Sequence, residues 1–386
     1  MLIGRYYDGV EIHRAEKILY ARFVSPHRVI STCRSSAGGL RDDLGYLFNH
    51  QSCEPNNHEA VAELHALAIE QPDVYRALIA SRHGLPPERC ATLGTAANMQ
   101  AAALAHEAYR DLEVLAICTA GVGSSAGRAG DPASYYEEGG SFVLQPAPNA
   151  GTIVIMLCIS RELRPGAMVE AVTMATEAKV AILQELSVGS CSSAGLATGT
   201  GTDQIAIAAR CDGAGLSGAG KYTRLGELIA RTVQRALRQA LAQQNGLTTT
   251  SQRHCLALLK RLGASESALC EAICAHLSPH DAELLRPNLD VVLMDPLTVA
   301  AVAALLHLRD QLIWEVLPPG CLPEVLTTYA AQVAAAVASQ PQRVVEYQQM
   351  LAATPATLST AGMLDLVAQA IGLGFRDKWT HLIRAR

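Results

Sequence analysis

Apolar positions recur along this chain in two rhythms, and the loss of one of them divides it. Residues 17–24 (KILYARFV) and 28–33 (RVISTC) flank a turn at Ser25 and Pro26 and predict short strands. Apolar runs at 113–119, 141–145, 152–159 and 204–209 predict further strands. Stretches of helical spacing at 97–110, 167–187 and 221–244 fall between or after them. Asn56, with Glu59 three residues later, predicts a capping box opening a helix through about Ile69. Strands interleaved with amphipathic helices predict an α/β or mixed α+β core, a mixed sheet with flanking helices. From Thr248 onward the strand rhythm is absent, and Ala-, Leu- and Gln-rich helical segments recur between Pro and Gly breaks. The expected organisation is a first domain over 1–247 and an all-helical C-terminal module over 248–386. No internal period marks the latter as a repeat array.

Two of the predicted helices carry more than packing information. Over 167–187, Met168, Val172, Ala175, Ile182, Leu183 and Leu186 share one stripe, with Lys179 in its middle and Glu177 nearly opposite. A lysine in such a stripe either snorkels its ammonium to water from the helix edge or sits at the base of a pocket. Over 222–244, Leu225, Leu228, Ile229, Val233 and Ala236 form the buried face. The opposite face carries Arg224, Arg231, Arg235 and Arg238, a stripe expected to be solvated or docked on acidic neighbours.

At 386 residues, with 49% apolar and 17% charged residues, the chain is folded and exceeds one typical core. A formal charge of −5 argues against nucleic acid as the main partner. Eleven cysteines are scattered without a Cys-x-x-Cys pair, as reduced thiols would be. The first residues bear charges too early for a secretory signal, and no apolar run reads as a spanning helix. A cytoplasmic protein with no membrane partner is expected.

The densest chemistry is the run Ala-Thr-Gly-Thr-Gly-Thr-Asp at 197–203, directly before the apolar run at 204–209. Glycine is costly inside regular structure and marks unusual backbone angles or close approach. Such a loop offers N–H donors and the hydroxyls of Thr198, Thr200 and Thr202 at the mouth of a strand. Metal is not expected. Cys270 and Cys274 share one helical face, His276 and His280 another, and His50, Cys53, His58 and His65 match no zinc spacing. Gly-x-Ser-x-Gly, His-Glu-x-x-His and phosphate-loop motifs are absent, and 121–127 is spaced wrongly for a dinucleotide fingerprint.

Several phrases, read in order, resemble the adenosylcobinamide amidohydrolase family (CbiZ). They are Ser35-Ser36-Ala37-Gly38-Gly39-Leu40-Arg41 with Asn49, then Thr119-Ala120-Gly121-Val122 with Arg128-Ala129-Gly130-Asp131. Gly151-Thr152-Ile153, Ala175-Thr176-Glu177-Ala178-Lys179, the 197–203 loop and Ala219-Gly220-Lys221 with Leu225-Gly226-Glu227 follow. The resemblance spans roughly 15–245 and leaves the helical part uncovered. It implies hydrolysis of the amide joining aminopropanol to a corrin side chain, giving adenosylcobyric acid, with no cofactor and with cobalt belonging to the substrate. Candidates for the chemistry are Thr198, Thr200, Asp203, Glu177 and Lys179. Candidates for binding are Ser36, Gly38, Gly39, Arg41, Asn49, Thr119, Asp131, Gly199, Gly201, Thr202, Lys221, Tyr222 and Glu227. The loops bearing them are expected to converge on one pocket.

Two positions depart from the family pattern. Tyr222 stands where a histidine usually follows Gly-Lys, and Val154 where an asparagine usually follows Gly-Thr-Ile. If the imidazole serves the reaction, hydrolysis of adenosylcobinamide is slow and Tyr222→His restores it. Three readings stay open: the corrinoid amidohydrolase, a diverged enzyme acting on another bulky amide or metal chelate, and a non-catalytic binder of a corrinoid or other metal complex. A homo-oligomer is compatible with each.

Overall fold

The computed structural model describes residues 1–55, 58–133, 135–138, 141–144, 151–211, 213–353 and 357–379. Asn56 of the expected capping box and Gln145 of the strand expected over 141–145 lie outside them. Strands run in chain order as β1 Leu2–Tyr6, β2 Val10–Ala15, β3 Ile18–Phe23, β4 His27–Ser31, β5 Gly39–Arg41, β6 Tyr46–Gln51, β7 Cys90–Thr95, β8 Ala103–Tyr109 and β9 Leu112–Ala120. There follow β10 Ala126–Gly127, β11 Tyr135–Glu138, β12 Ser141–Leu144, β13 Ile153–Ile159, β14 Gly199–Thr200 and β15 Gln204–Arg210. Helices α1 Glu59–Glu70, α2 Pro72–Arg82, α3 Pro165–Glu185 and α4 Arg224–Asn245 accompany them.

The expected mixed strand and helix core is present as two large sheets, with the two-stranded pairs β10-β14 and β11-β12 beside them. One has order β1-β2-β3-β6-β7 and the other β5-β4-β15-β13-β9-β8, each with a single parallel pair, β6 with β7 and β13 with β15. Side-chain parity assigns the layers. On β13, Val154, Met156 and Cys158 join Leu19, Leu47 and Leu93 in a core between the sheets. Ile153, Ile155, Leu157 and Ile159 point the other way, onto Met168, Ala175 and Ile182 of α3 and Leu228, Ile229 and Val233 of α4. On the far side of the first sheet, Ile18, Phe48 and Cys90 meet Tyr75 and Ile79 of α2. The result is four layers, helices–sheet–sheet–helices.

The helix expected over 97–110 is not one. Met99–Ala101 is a single 3₁₀ turn, and β8 follows, antiparallel to β9 at the sheet edge. Alanines favour a helix locally, but Ala103 and Ala105 alternate with more open neighbours, and pairing with β9 overrides propensity. α4 is well delimited: the Thr223 hydroxyl accepts from Gly226 N–H, and Gly246 closes it at φ 64°.

Chain contacts divide the molecule into two compact units, Met1–Ser192 with Leu196–Leu247, and Ser193–Gly195 with Thr248–Arg386. The second is helical: α5 Thr249–Gln252, α6 Cys255–Leu259, α7 Glu266–Cys274, α8 Pro279–Leu293, α9 Pro296–Ile313, α10 Leu322–Ala338, α11 Val344–Leu351 and α12 Thr360–Lys378. The expectation that no run reaches spanning length needs amendment. By length and composition alone, Pro296–Ile313 and Pro319–Ala338 qualify. Here Val302, Leu305 and Leu306 of α9 and Leu326, Ala330 and Ala331 of α10 are core residues of this unit.

Candidate functional site

The Gly/Thr loop closes around one carboxylate. Asp203 Oδ1 accepts from Thr200 N at 3.1 Å, Thr200 Oγ1 at 2.7 Å and Ile153 N at 3.2 Å, and its Oδ2 accepts from Lys179 Nζ. The ion pair is mostly enclosed, with 12% of the lysine side chain and 18% of the aspartate exposed. Lys179 thus does not snorkel to water; its ammonium is turned in onto Asp203. Gly199 explains its own identity: a Cβ there would lie 2.2 Å from Asp203 Oδ2 and 2.9 Å from Lys179 Nζ. Any side chain there would have to displace the pair.

Around this pair the hydroxyls are ordered in series. Thr152 Oγ1 lies 2.5 Å from Thr202 Oγ1, which donates to Gly151 O at 3.0 Å. Thr198 Oγ1 accepts from Ala129 N at 2.8 Å, while β14 pairs with β10. Asp131 Oδ2 accepts from Arg128 N at 2.8 Å and Ser190 Oγ at 2.6 Å, folding the 128–131 turn against the same loop system. Gly201 has open space beside its backbone. Lys179, Asp203, Thr198, Thr200, Thr202, Gly199, Gly201 and Asp131 therefore gather at the edge where β9 ends and β13 and β15 begin.

Across the same edge, facing the space between the sheets, lies a second polar group. Asn49 Nδ2 donates to Thr119 Oγ1 at 2.9 Å, and both residues are buried. Gln204 Oε1 accepts from Gly94 N at 3.1 Å, and its Nε2 donates to Gly94 O at 3.3 Å, tying the two sheets together. Val154, paired with Thr119 in register, is fully buried among them. The loop of Ser36, Gly38, Gly39 and Arg41 belongs to this side: Cys33, Ala37 and Leu44 enter the intersheet core. Ser36 donates twice to Asp73, from N and Oγ, and Arg41 holds Asp43 and Ser36 O. Thr32 N donates to Ile205 O at 3.0 Å, so this loop leaves the sheet beside the Asp203 loop.

The remaining candidates sit elsewhere. Glu177 pairs with Lys221 on the outer side of α3, away from Lys179. Ala219 N donates to Glu170, so 218–222 lies alongside α3, and Glu227 is engaged by Arg224 and Arg231 of its own helix. Tyr222 is fully exposed. Among the described residues, no hydrogen bond or ion pair joins 218–227 to Asp203. The arginine stripe of α4 is docked on acids, with Arg235 on Glu107 and Arg238 on Glu185.

His50 is buried and bonded to Tyr75 Oη at 2.6 Å, and burial pulls it down to about 3. Cys53 and His65 meet at 3.7 Å. Burial pushes the Cys118 and Cys158 thiols up to about 12. Thr152, Ser190 and Gln204 are members of these networks that are not among the candidate residues, Thr152 entering only within the Gly151-Thr152-Ile153 phrase. The signal for two of them is position, since each heads or directly precedes a strand.

A four-layer sandwich with polar loops gathered on one edge thus carries these residues. The chain belongs to the adenosylcobinamide amidohydrolase family, whose model matches residues 3–249. It is 36% identical over 181 residues to an uncharacterized protein of Methanocaldococcus jannaschii, covering 44% of this chain and 70% of that protein. Family membership supports an amidohydrolase-type function. Residues beyond 249 lie outside the family match.

Proposed function

We propose that this protein hydrolyses the amide linking aminopropanol to the corrin side chain of adenosylcobinamide, at the edge formed by Lys179, Asp203 and the threonine loop. The observation that carries the reading is the enclosed Lys179–Asp203 pair beneath Gly199. An ammonium has three protons, and Asp203 engages one of them. The others are available to the oxygen that becomes negative when water adds to the amide carbon, and to the amine that leaves as the C–N bond breaks, the proton lost by the attacking water replacing the one the lysine gives up. Asp203, held by three further donors, fixes where that charge stands. The Thr152–Thr202 pair and the Gly-rich backbone supply neutral donors nearby.

A second reading, a corrinoid binder with little hydrolysis, is favoured by Val154, which is buried beside Thr119 where the family pattern has an asparagine. Incubating the protein with adenosylcobinamide and measuring released aminopropanol, alongside the visible corrinoid spectrum, separates them. Release supports the amidohydrolase, a spectral shift without release supports the binder, and neither response sinks both.

A further inference from the structure

Asn49 carries an imbalance that its surroundings do not resolve. The residue is 3% exposed, and Thr119 satisfies only one end of its amide. Oδ1 is buried with no hydrogen-bond partner. Flipping the amide would exchange Oδ1 for Nδ2 and leave that atom orphaned instead. A buried amide atom without a partner is destabilising, and native proteins rarely keep one unless water or a ligand completes it.

The chemistry of the gap is specific. Oδ1 is a free acceptor, and the hydroxyl of Thr119, which accepts from Nδ2, has its own proton still to give. A free acceptor beside a free donor is the complement of a carboxamide, which presents one N–H and one C=O. The walls are apolar: Leu93 is the register partner of Asn49, Val154 that of Thr119, and Ile117 and Met156 join the same core. Neutral groups are accepted in such surroundings, and ions are not. Two residues along the same face of β6, Gln51 borders a cleft of about 210 Å³ shared with Lys17, Asn98 and Met99. Asn49 and Thr119 are not among its walls; Gln51, on the Asn49 face of β6, is.

We propose that Asn49 and Thr119 form a subsite that recognises a neutral carboxamide of the substrate. The inference rests on the amidohydrolase reading for the identity of the large ligand, but not for the subsite itself. Two experiments keep the two apart. With asparagine side chains isotope-labelled in the full chain, propionamide is titrated against propionate while the Asn49 side-chain signals are followed by NMR. Movement with propionamide alone is expected. No response to either, or an equal response to both, overturns the subsite and leaves a resident water as the partner of Oδ1. In parallel, Asn49→Leu is expected to raise KM for adenosylcobinamide at least tenfold, acting on KM more than on kcat, without lowering the melting temperature. Wild-type KM in that variant overturns the proposal while leaving the hydrolase reading intact. If the unmodified protein releases no aminopropanol yet Asn49 still responds to propionamide, the subsite stands and the reaction falls. Should Asn49→Leu fail to fold, the titration of the unmodified chain decides alone.

Discussion

Asp203 and Gln204 are adjacent in the chain and face opposite sides of the same sheet, and the polar groups around them are built to different standards. On the helix side, the Asp203 carboxylate has four donors and its lysine is mostly enclosed. On the intersheet side, Gln204 is paired but Asn49 Oδ1 is left without a partner. The difference follows from charge. An ion pair removed from water is tolerated only when the protein itself completes its hydrogen bonds, whereas a neutral amide can stay incomplete at a cost of about 1–3 kcal/mol. The helix side is therefore a finished scaffold for charge, and the intersheet side holds a neutral amide with one acceptor left unpaired.

The most damaging way to break the finished side is Gly199→Ala, because its methyl group would have to displace the Lys179–Asp203 pair. A fall of about 10²- to 10³-fold in kcat/KM for adenosylcobinamide is expected, the scale of losing one oriented electrostatic donor. Unchanged kinetics would show that the pair is not part of the reaction. Next, Asp203→Asn leaves the lysine without its counter-charge. The cost should be about 2–3 kcal/mol in urea unfolding, below the full buried-pair range because both side chains keep some solvent. Adding Lys179→Met should recover part of that loss, and strict additivity would contradict the coupling.

Two buried imidazoles, His50 on the face of β6 turned towards Tyr75 of α2 and His27 on β4, allow a test by pH. His50, on β6 next to Asn49, is held down to about 3 by burial, and His27, also buried, to about 4. Both bind protons more readily when unfolded, at about 6.5. Their contribution is whole above that pH and is lost as pH falls through about 6.5 towards 4, by up to about 3 kcal/mol for each. Urea midpoints that stay level from pH 7 to 4.5 would refute this. The smallest effect is expected from Tyr222→His: with the tyrosine fully exposed, turnover should change less than twofold. A large rise would mean that 218–227 reaches the substrate after all.

Much of this architecture is legible in the chain. Strands β3, β4, β9, β13 and β15 and helices α3 and α4 follow the apolar rhythm closely, and the stripe holding Lys179 is buried as its spacing implies. The division of strands into two sheets is not legible, since β6 and β7 are short and their partners lie far away in sequence. β8 is hidden by alanine, whose propensity points to helix while its pairing with β9 decides otherwise. The 197–203 loop announces itself through glycine and threonine, and the structure ties it to Lys179. Asn49 and Thr119 of the intersheet group are picked out in sequence only by the family resemblance; that they bond to each other, 70 residues apart, shows only in the fold.

β13 is buried along its whole length, with one set of side chains meeting helices and the other meeting the opposing sheet. Such a strand has no face on which change is free. A mutational scan across it should show seven consecutive intolerant positions in place of the every-other pattern of a half-solvated strand. It also makes position 154 historically dependent on its neighbours. An amide there must find partners in a space already holding Asn49 and Thr119, and valine there leaves them to one another. Among relatives, residues 154 and 49 should therefore change together, and a survey in which they vary independently would show that each answers to something else.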